Sequence, residues 1–246
     1  MTEITSSTNQ QFKTFLSLTE SKGLKKEKLF LLSGKNLLQE FLAKPSLKIV
    51  AELLGEGLKP QTSGLKTFKL SKDLFAQLDV LGTHAPILVL EQPEIQEWTI
   101  DMSLSGLTVA TPLGDPRNLG ALVRSCEAFG IKKMILLQES ANPFLPKSVK
   151  ASAGSVCRMS FHRGPDLKEF SNHRISNLMG LDMKGLALRD FQWPKNGILL
   201  LGEEGPGLPK NSNMKTISIP TESVESLNAT IAASIALYDY HSKIKK

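Results

Sequence analysis

Apolar positions recur along the chain in two rhythms. Between Thr8 and about Lys22, Phe12, Phe15, Leu16 and Leu18 fall mostly at helical spacing and predict an amphipathic helix. Lys28–Leu32 reads as a short strand, and Lys35–Ala43 as a helix with Leu37, Leu38, Phe41 and Leu42 inward. Strands are expected at Leu47–Leu54, Leu65–Leu70 and Ile87–Leu90, with a short helix near Ser71–Leu78. These elements make a small α/β unit. The polar stretch Glu91–Ser103, interrupted by Pro93, reads as a linker. From Gly106 onward strand and helix alternate. Leu107–Leu113 is a mostly apolar strand. Asn118–Phe129 is a helix with Leu119, Leu122, Val123, Cys126 and Phe129 on one face and Gly130 as its stop. Strands follow at Lys133–Leu137, Val156–Phe161, Ser176–Gly180, Ile198–Leu201 and Thr216–Ile219. The last leads into a helix over Leu227–Ser242, with Leu227, Ile231, Ile235 and Tyr238 aligned. Such alternation predicts an α/β fold with a largely parallel sheet covered on both faces.

Length and charge narrow the picture. A chain of 246 residues has room for two domains, expected over 1–92 and 104–246, and 41% hydrophobic residues suffice for a sizeable core. The net charge is +6 and the pI about 9.2. That balance suits a polyanion such as nucleic acid, and equally a Lys-rich solvated surface. Up to residue 116 there is Lys but no Arg, as in Lys22, Lys25, Lys26 and Lys28; Arg begins with Arg117 and Arg124. Lys suits unspecific phosphate contacts, whereas the Arg fork serves where geometry matters. Cys126 and Cys157 lack partners at metal-ligand spacing and read as reduced core thiols. No metal site is expected. The N-terminus MTEITSSTNQQ is polar, and no apolar run approaches membrane-spanning length, so a cytoplasmic protein is expected.

Three segments at strand ends carry candidate chemistry, since open α/β sheets bind ligands there. In Gly114–Gly130, Asp115, Pro116 and Asn118 form a turn and cap, and Arg124 lies off the apolar stripe. Taken alone, the segment reads more simply as a capped helix with a surface Arg. In Leu199–Leu208, a strand runs into a loop with Gly202, Gly205 and Gly207. The loop has neither P-loop nor dinucleotide-binding spacing. Glu203 and Glu204 would repel phosphate and suit a ligand with a positive centre; an ordinary tight turn is the alternative. In Ile217–Tyr240, Ser226 and Asn228 flank the start of a small-residue helix. A Ser226 cap accounts for the serine and leaves Asn228 without a reason.

Together these segments resemble the SpoU (TrmH-like) family of RNA ribose methyltransferases, of the SPOUT superfamily. The resemblance rests on Asn118 and Arg124, then Gly202, Glu204 and Gly207, then Ile219, Pro220, Ser226, Leu227 and Asn228, in family order over Gly106–Lys246. Phe30–Leu42 and Thr83–Leu90 are similar to the small substrate-binding domain many members carry. Departures are Arg117 where Gly is common, Thr221 where Met is usual, Lys150 where Arg is frequent, and a third-motif loop about one residue short.

The resemblance implies a C-terminal domain folded around a trefoil knot and a homodimer. It implies S-adenosylmethionine held by backbone at Gly202, Ile219 and Leu227, and transfer of its methyl group to a ribose 2′-hydroxyl of structured RNA. Asn118, Arg124, Glu204, Ser226 and Asn228 are the implied catalytic set. Within it, Arg124 is expected to bind phosphate and stabilise alkoxide charge rather than act as base, because a guanidinium keeps its proton. The N-terminal domain favours ribosomal RNA over transfer RNA as partner. A transfer-RNA enzyme, base methylation by a related knotted fold, and a non-catalytic RNA-binding protein on the same fold are the alternatives.

Overall fold

The computed structural model describes residues 1–102, 105–209 and 214–244. The expected boundary residues Ser103, Leu104 and Lys246 lie outside them. Contacts divide the chain into two compact units, Met1–Pro93 with Asn142–Cys157, and Glu94–Ala141 with Arg158–Lys246. The segment Asn142–Cys157, which the sequence pattern placed with the C-terminal part, packs within the first unit.

The first unit is built on strands β1 (Thr2–Ile4), β2 (Leu29–Ser33), β3 (Ile49–Leu54), β4 (Thr67–Leu70) and β5 (Ile87–Glu91). Their order in the sheet is β1-β4-β3-β5-β2. β1 and β3 run parallel to β4, and β5 runs antiparallel to β3 and β2. Helices α1 (Gln10–Ser17), α2 (Ser21–Glu27), α3 (Lys35–Ala43) and α4 (Lys72–Leu78) accompany the sheet. The single helix expected over Thr8–Lys22 is therefore two. Asn9 starts α1 by accepting from the Gln11 and Phe12 backbone N–H groups. Its end is closed by hydroxyls: Ser17 Oγ donates to the Thr14 carbonyl and Thr19 Oγ1 to that of Leu16. Gly23 then lets α2 fold back, since a Cβ there would stand 2.0 Å from the Ser17 carbonyl oxygen. Phe12, Phe15 and Leu18 are buried all the same, so the periodicity found the apolar face but not the break.

The second unit adds β6 (Gln96–Glu97), β7 (Leu107–Thr111), α5 (Pro116–Ala128) and β8 (Lys133–Leu136). Next in the chain comes α6 (Pro146–Ala151), in the segment that belongs to the first unit, where Phe144 packs on Phe30 with ring centroids 4.9 Å apart. The second unit resumes with β9 (Ser160–Arg163), α7 (Leu167–Asn172), β10 (Leu178–Ala187), β11 (Gly197–Leu200), β12 (Lys215–Ser218) and α8 (Ala229–Ile244). Its seven strands order as β12-β10-β11-β7-β8-β9-β6, and every pairing is parallel. All residues of β7 and β11 are buried, as a parallel sheet covered on both faces requires.

The strand predicted from Val156 begins only at Ser160, because Ala153 and Gly154 adopt left-handed φ of 46° and 79° and Val156 sits in a 3-10 turn. The linker is also structural. Gln96–Glu97 pairs with β9, the Trp98 N–H donates to the Arg163 carbonyl, and the Trp98 ring packs 4.7 Å from Phe170. Cys126 and Cys157 are buried thiols, and burial pushes the Cys126 thiol far up. Among the described residues, no helix is long and apolar enough to cross a membrane.

β10 is bulged where it meets β12. Leu181 and Leu186 both pair with Ile217, and the residues between them loop out. The two backbones touch at Gly185, where a Cβ would lie 2.4 Å from the Thr216 carbonyl carbon. Backbone cannot swing aside as a side chain can. Gly185→Ala should therefore destabilise the protein by about 1–3 kcal/mol, the usual cost of overpacking. A urea-unfolding midpoint equal to wild type would show that the strands part freely at this point.

Candidate active site

The C-terminal ends of β7, β11 and β12 each lead into a segment singled out above. After β7, Asp115 caps α5, its carboxylate accepting from the Arg117 and Asn118 N–H groups at 2.7 and 3.0 Å. Pro116 opens the helix where its missing N–H is harmless. After β11 the chain reverses tightly. Glu203 and Gly207 exchange backbone hydrogen bonds of 3.1 Å each way. Gly205 and Gly207 supply φ of 97° and 76°, which side-chain-bearing residues rarely adopt. Gly202 sits against the returning strand, where a Cβ would lie 2.4 Å from the Gly207 carbonyl carbon. The reversal presents Glu204 to solvent at its tip.

After β12, Ser218 Oγ donates to the Gly185 carbonyl at 2.9 Å, and the Thr221 hydroxyl closes the following loop on the Val224 carbonyl at 2.7 Å. The cap of α8 is then Asn228, not Ser226. Asn228 Oδ1 accepts from the Thr230 and Ile231 N–H groups at 2.9 and 3.3 Å, while Ser226 is exposed. Asn228 thus has a structural reason that the sequence pattern did not reveal.

These pieces meet at Asn118. Its side-chain amide donates to Glu204 Oε1. Its carbonyl accepts from Thr230 Oγ1 at 3.1 Å. The glycine loop and the starts of α5 and α8 are thereby tied into one cluster holding an exposed carboxylate, an amide and two helix N-termini. Those N-termini carry partial positive charge. Thr230 is the member the sequence reading missed. Its signal was position, two residues beyond the cap on the side of α8 facing α5. Ile219 and Leu227 are half-buried in the third segment. Arg124 stands apart: it is exposed on α5, about 9 Å further along the axis than Asn118. Among the described residues its side chain forms no hydrogen bond or ion pair.

α8 turns most of its aligned apolar stripe outward. The aligned residues Ile231, Ile235 and Tyr238 are 54%, 38% and 61% exposed. The buried side is Thr230, Ala233, Ala236, Leu237 and Tyr240. Small and hydroxyl residues let α8 approach α5, and Ser125 Oγ and Ser234 Oγ share a 2.7 Å hydrogen bond. Periodicity marks a stripe without saying which stripe is covered.

This architecture is that of the SpoU-type methyltransferases. A solved AdoMet-bound rRNA methyltransferase from Sinorhizobium meliloti shares the fold, with a TM-score of 0.78 over 98% of this chain and 97% of that one at 23% identity. The SpoU methyltransferase AviRb from Streptomyces viridochromogenes, solved with AdoMet, gives a TM-score of 0.79 over 95% and 97% at 23% identity. The SpoU rRNA Methylase family model matches residues 107–238, and the chain belongs to that family. It is 28% identical to the Bacillus subtilis 23S rRNA (guanosine(2553)-2′-O)-methyltransferase RlmP, over 97% of this chain and 98% of that protein. It is 36% identical, over 96% of its own length, to a Syntrophobacter fumaroxidans protein named ribosomal RNA small subunit methyltransferase G 2, and spans only 48% of that relative.

If Asn228 caps α8, Asn228→Ala should cost about 1 kcal/mol in urea unfolding, and Asn228→Asp should keep most of it. A wild-type midpoint for the Ala variant would mean that the cap contributes nothing.

Proposed function

We propose that this chain transfers a methyl group from S-adenosylmethionine to a ribose 2′-hydroxyl of ribosomal RNA. The observation carrying the reading is the Glu204–Asn118–Thr230 cluster at three strand ends, in a chain of the SpoU family. The named activity of the Bacillus relative supports the same chemistry. The residues present fit the cofactor. Gly205 and Gly207 leave open space where a Cβ would stand, so their backbone is approachable, and Glu203 and Glu204 suit a positive centre. Gly202, Ile219 and Leu227 would hold it through backbone. When bound there, S-adenosylmethionine supplies a methyl group on a positively charged sulfur.

That methyl would pass to the ribose hydroxyl oxygen, whose proton would leave to water. Asn118, Glu204, Ser226 and Asn228 orient the ribose, with Asn118 fixed at both its side chain and its carbonyl. Arg124 binds the adjoining phosphate and stabilises the developing alkoxide, since a guanidinium keeps its charge. The reading includes the trefoil knot, supported by the passage of the chain from β11 beyond β10 to β12. Ribosomal RNA as substrate implies the cytoplasm. Residues 1–92 serve as the RNA-binding domain, supported by Lys22, Lys25, Lys26 and Lys28, all exposed on and beside α2.

The test is methyl transfer from labelled cofactor to rRNA, with the methyl mapped by mass spectrometry of the digested product. A methyl on a base, on transfer RNA alone, or on nothing would end the reading. Arg124→Ala should lower the rate about a hundredfold, the scale of losing one oxyanion donor, with Arg124→Lys between and cofactor affinity unchanged. Full activity in Arg124→Ala would remove Arg124 from the catalytic set.

The functional unit is a homodimer in this reading. The exposed Ile231–Ile235–Tyr238 stripe supports it, beside Phe129, whose ring lies 5.9 Å from that of Tyr238. Arg124, exposed on the neighbouring helix, then serves the partner's site. Ile231→Lys with Ile235→Lys should sediment as a monomer and lose methyl transfer. A wild-type dimer in that variant would place the contact elsewhere.

A further inference from the structure

The first unit holds a cavity of about 500 Å3 that the methyl-transfer chemistry does not use. It lies between the loop leaving β3, the helix α4, and the loop from Asp79 to His84. Leu58, Phe75 and Ala76 form apolar wall, and Glu56, Lys72 and His84 supply polar groups. The size falls within the range of about 300–1,000 Å3 typical of small-molecule sites.

The walls are fixed by specific contacts. Phe75 is seated by Gly55, where a Cβ would stand 2.8 Å from its ring. The loop beyond α4 is held from inside by Asp79, whose carboxylate is only 4% exposed. It accepts from the Thr83 N–H at 2.9 Å, the Thr83 hydroxyl at 3.0 Å and the His84 N–H at 2.7 Å. From the other side, Lys150 Nζ donates to the Leu81 carbonyl at 3.5 Å. What this support holds up is His84, in a left-handed conformation with φ 48° and a side chain 91% exposed. Such a backbone is strained for a non-glycine residue. An exposed imidazole adds nothing to the core, so core packing does not explain the device.

We propose that this cavity receives one unpaired nucleotide of the RNA substrate. The proposal rests on the RNA reading above and adds a subsite to it. The apolar wall suits the face of an unstacked base, Glu56 accepts from a base N–H, and Lys72 and His84 meet the phosphate at the rim. A concave site of this size admits a single splayed nucleotide and not the edge of a duplex. It makes the N-terminal unit a reader of RNA loops as well as a basic surface.

The test uses the full chain and two rRNA fragments of equal length, a hairpin with an open loop and a fully paired duplex. Ala76→Trp fills the cavity without changing charge. It should weaken binding of the open-loop RNA about tenfold, the scale of one lost stacked base, and leave duplex binding unchanged. Lys72→Ala with His84→Ala should weaken the same complex and reduce its salt slope by about one. Calorimetric affinity for S-adenosylmethionine and the urea-unfolding midpoint should stay at the wild-type values in all variants, which reports that both units remain folded. Wild-type affinity for the open loop in both variants overturns the proposal. So does tight binding of free nucleoside monophosphates that Ala76→Trp abolishes while RNA affinity stays put, which makes the cavity a metabolite site. If the variants methylate rRNA as wild type does, the subsite falls alone. If wild-type protein methylates no rRNA, the broader reading falls and takes the subsite with it.

Discussion

Asn118 is the hinge on which the candidate site depends. One residue uses its N–H, its carbonyl and its side chain on three different elements. Asp115 fixes the N–H, Thr230 of α8 fixes the carbonyl, and Glu204 of the glycine loop takes the amide. Each bond alone contributes on the order of 1 kcal/mol, yet together they set the relative positions of three chain segments far apart in sequence. A site of this kind needs that rigidity, because reacting atoms must be held within a fraction of an ångström.

The sheet makes the convergence possible. Seven parallel strands put every C-terminal end on one edge, and β7, β11 and β12 deliver their loops there. Burial of all of β7 and β11 fixes that edge through packing on both faces. Ala110, Ile135, Ile198 and Leu200 share one core cluster with Phe170 and Leu178, so strand position and helix cover are set by the same contacts. Close backbone approach at Gly185 and Gly202 brings β10, β12 and the glycine loop nearer than side chains would allow.

α8 shows how one helix divides its work. Its first turn is capped by Asn228 and bonded to α5 through Thr230. Its far end is tethered elsewhere: Lys243 Nζ donates to the carbonyls of Leu188, Arg189 and Phe191, and Tyr240 accepts from the Leu107 N–H. Alanines at 233 and 236 carry the packing between. The larger residues Ile231, Ile235 and Tyr238 are left outside.

The sequence by itself determined most strands and helices, the parallel α/β class and the motif residues, because periodicity, turn glycines and helix-capping residues are local signals. Lys35–Ala43 matches α3 residue for residue, and the other strands and helices named above fall within a few residues, apart from the split at Leu18–Glu20, the late start of β9 and the run of β10 past Gly180 to Ala187. Tertiary structure alone decided which face of α8 is covered, why Asn228 stands where it does, and that Thr230 joins the cluster. It also decided that Asn142–Cys157 packs with the first unit and that Gln96–Glu97 is a strand. Each of these turns on a partner distant in the chain. A stripe, a cap or a two-residue strand is ambiguous until the surface opposite it exists, and spacing along the chain carries no record of that surface.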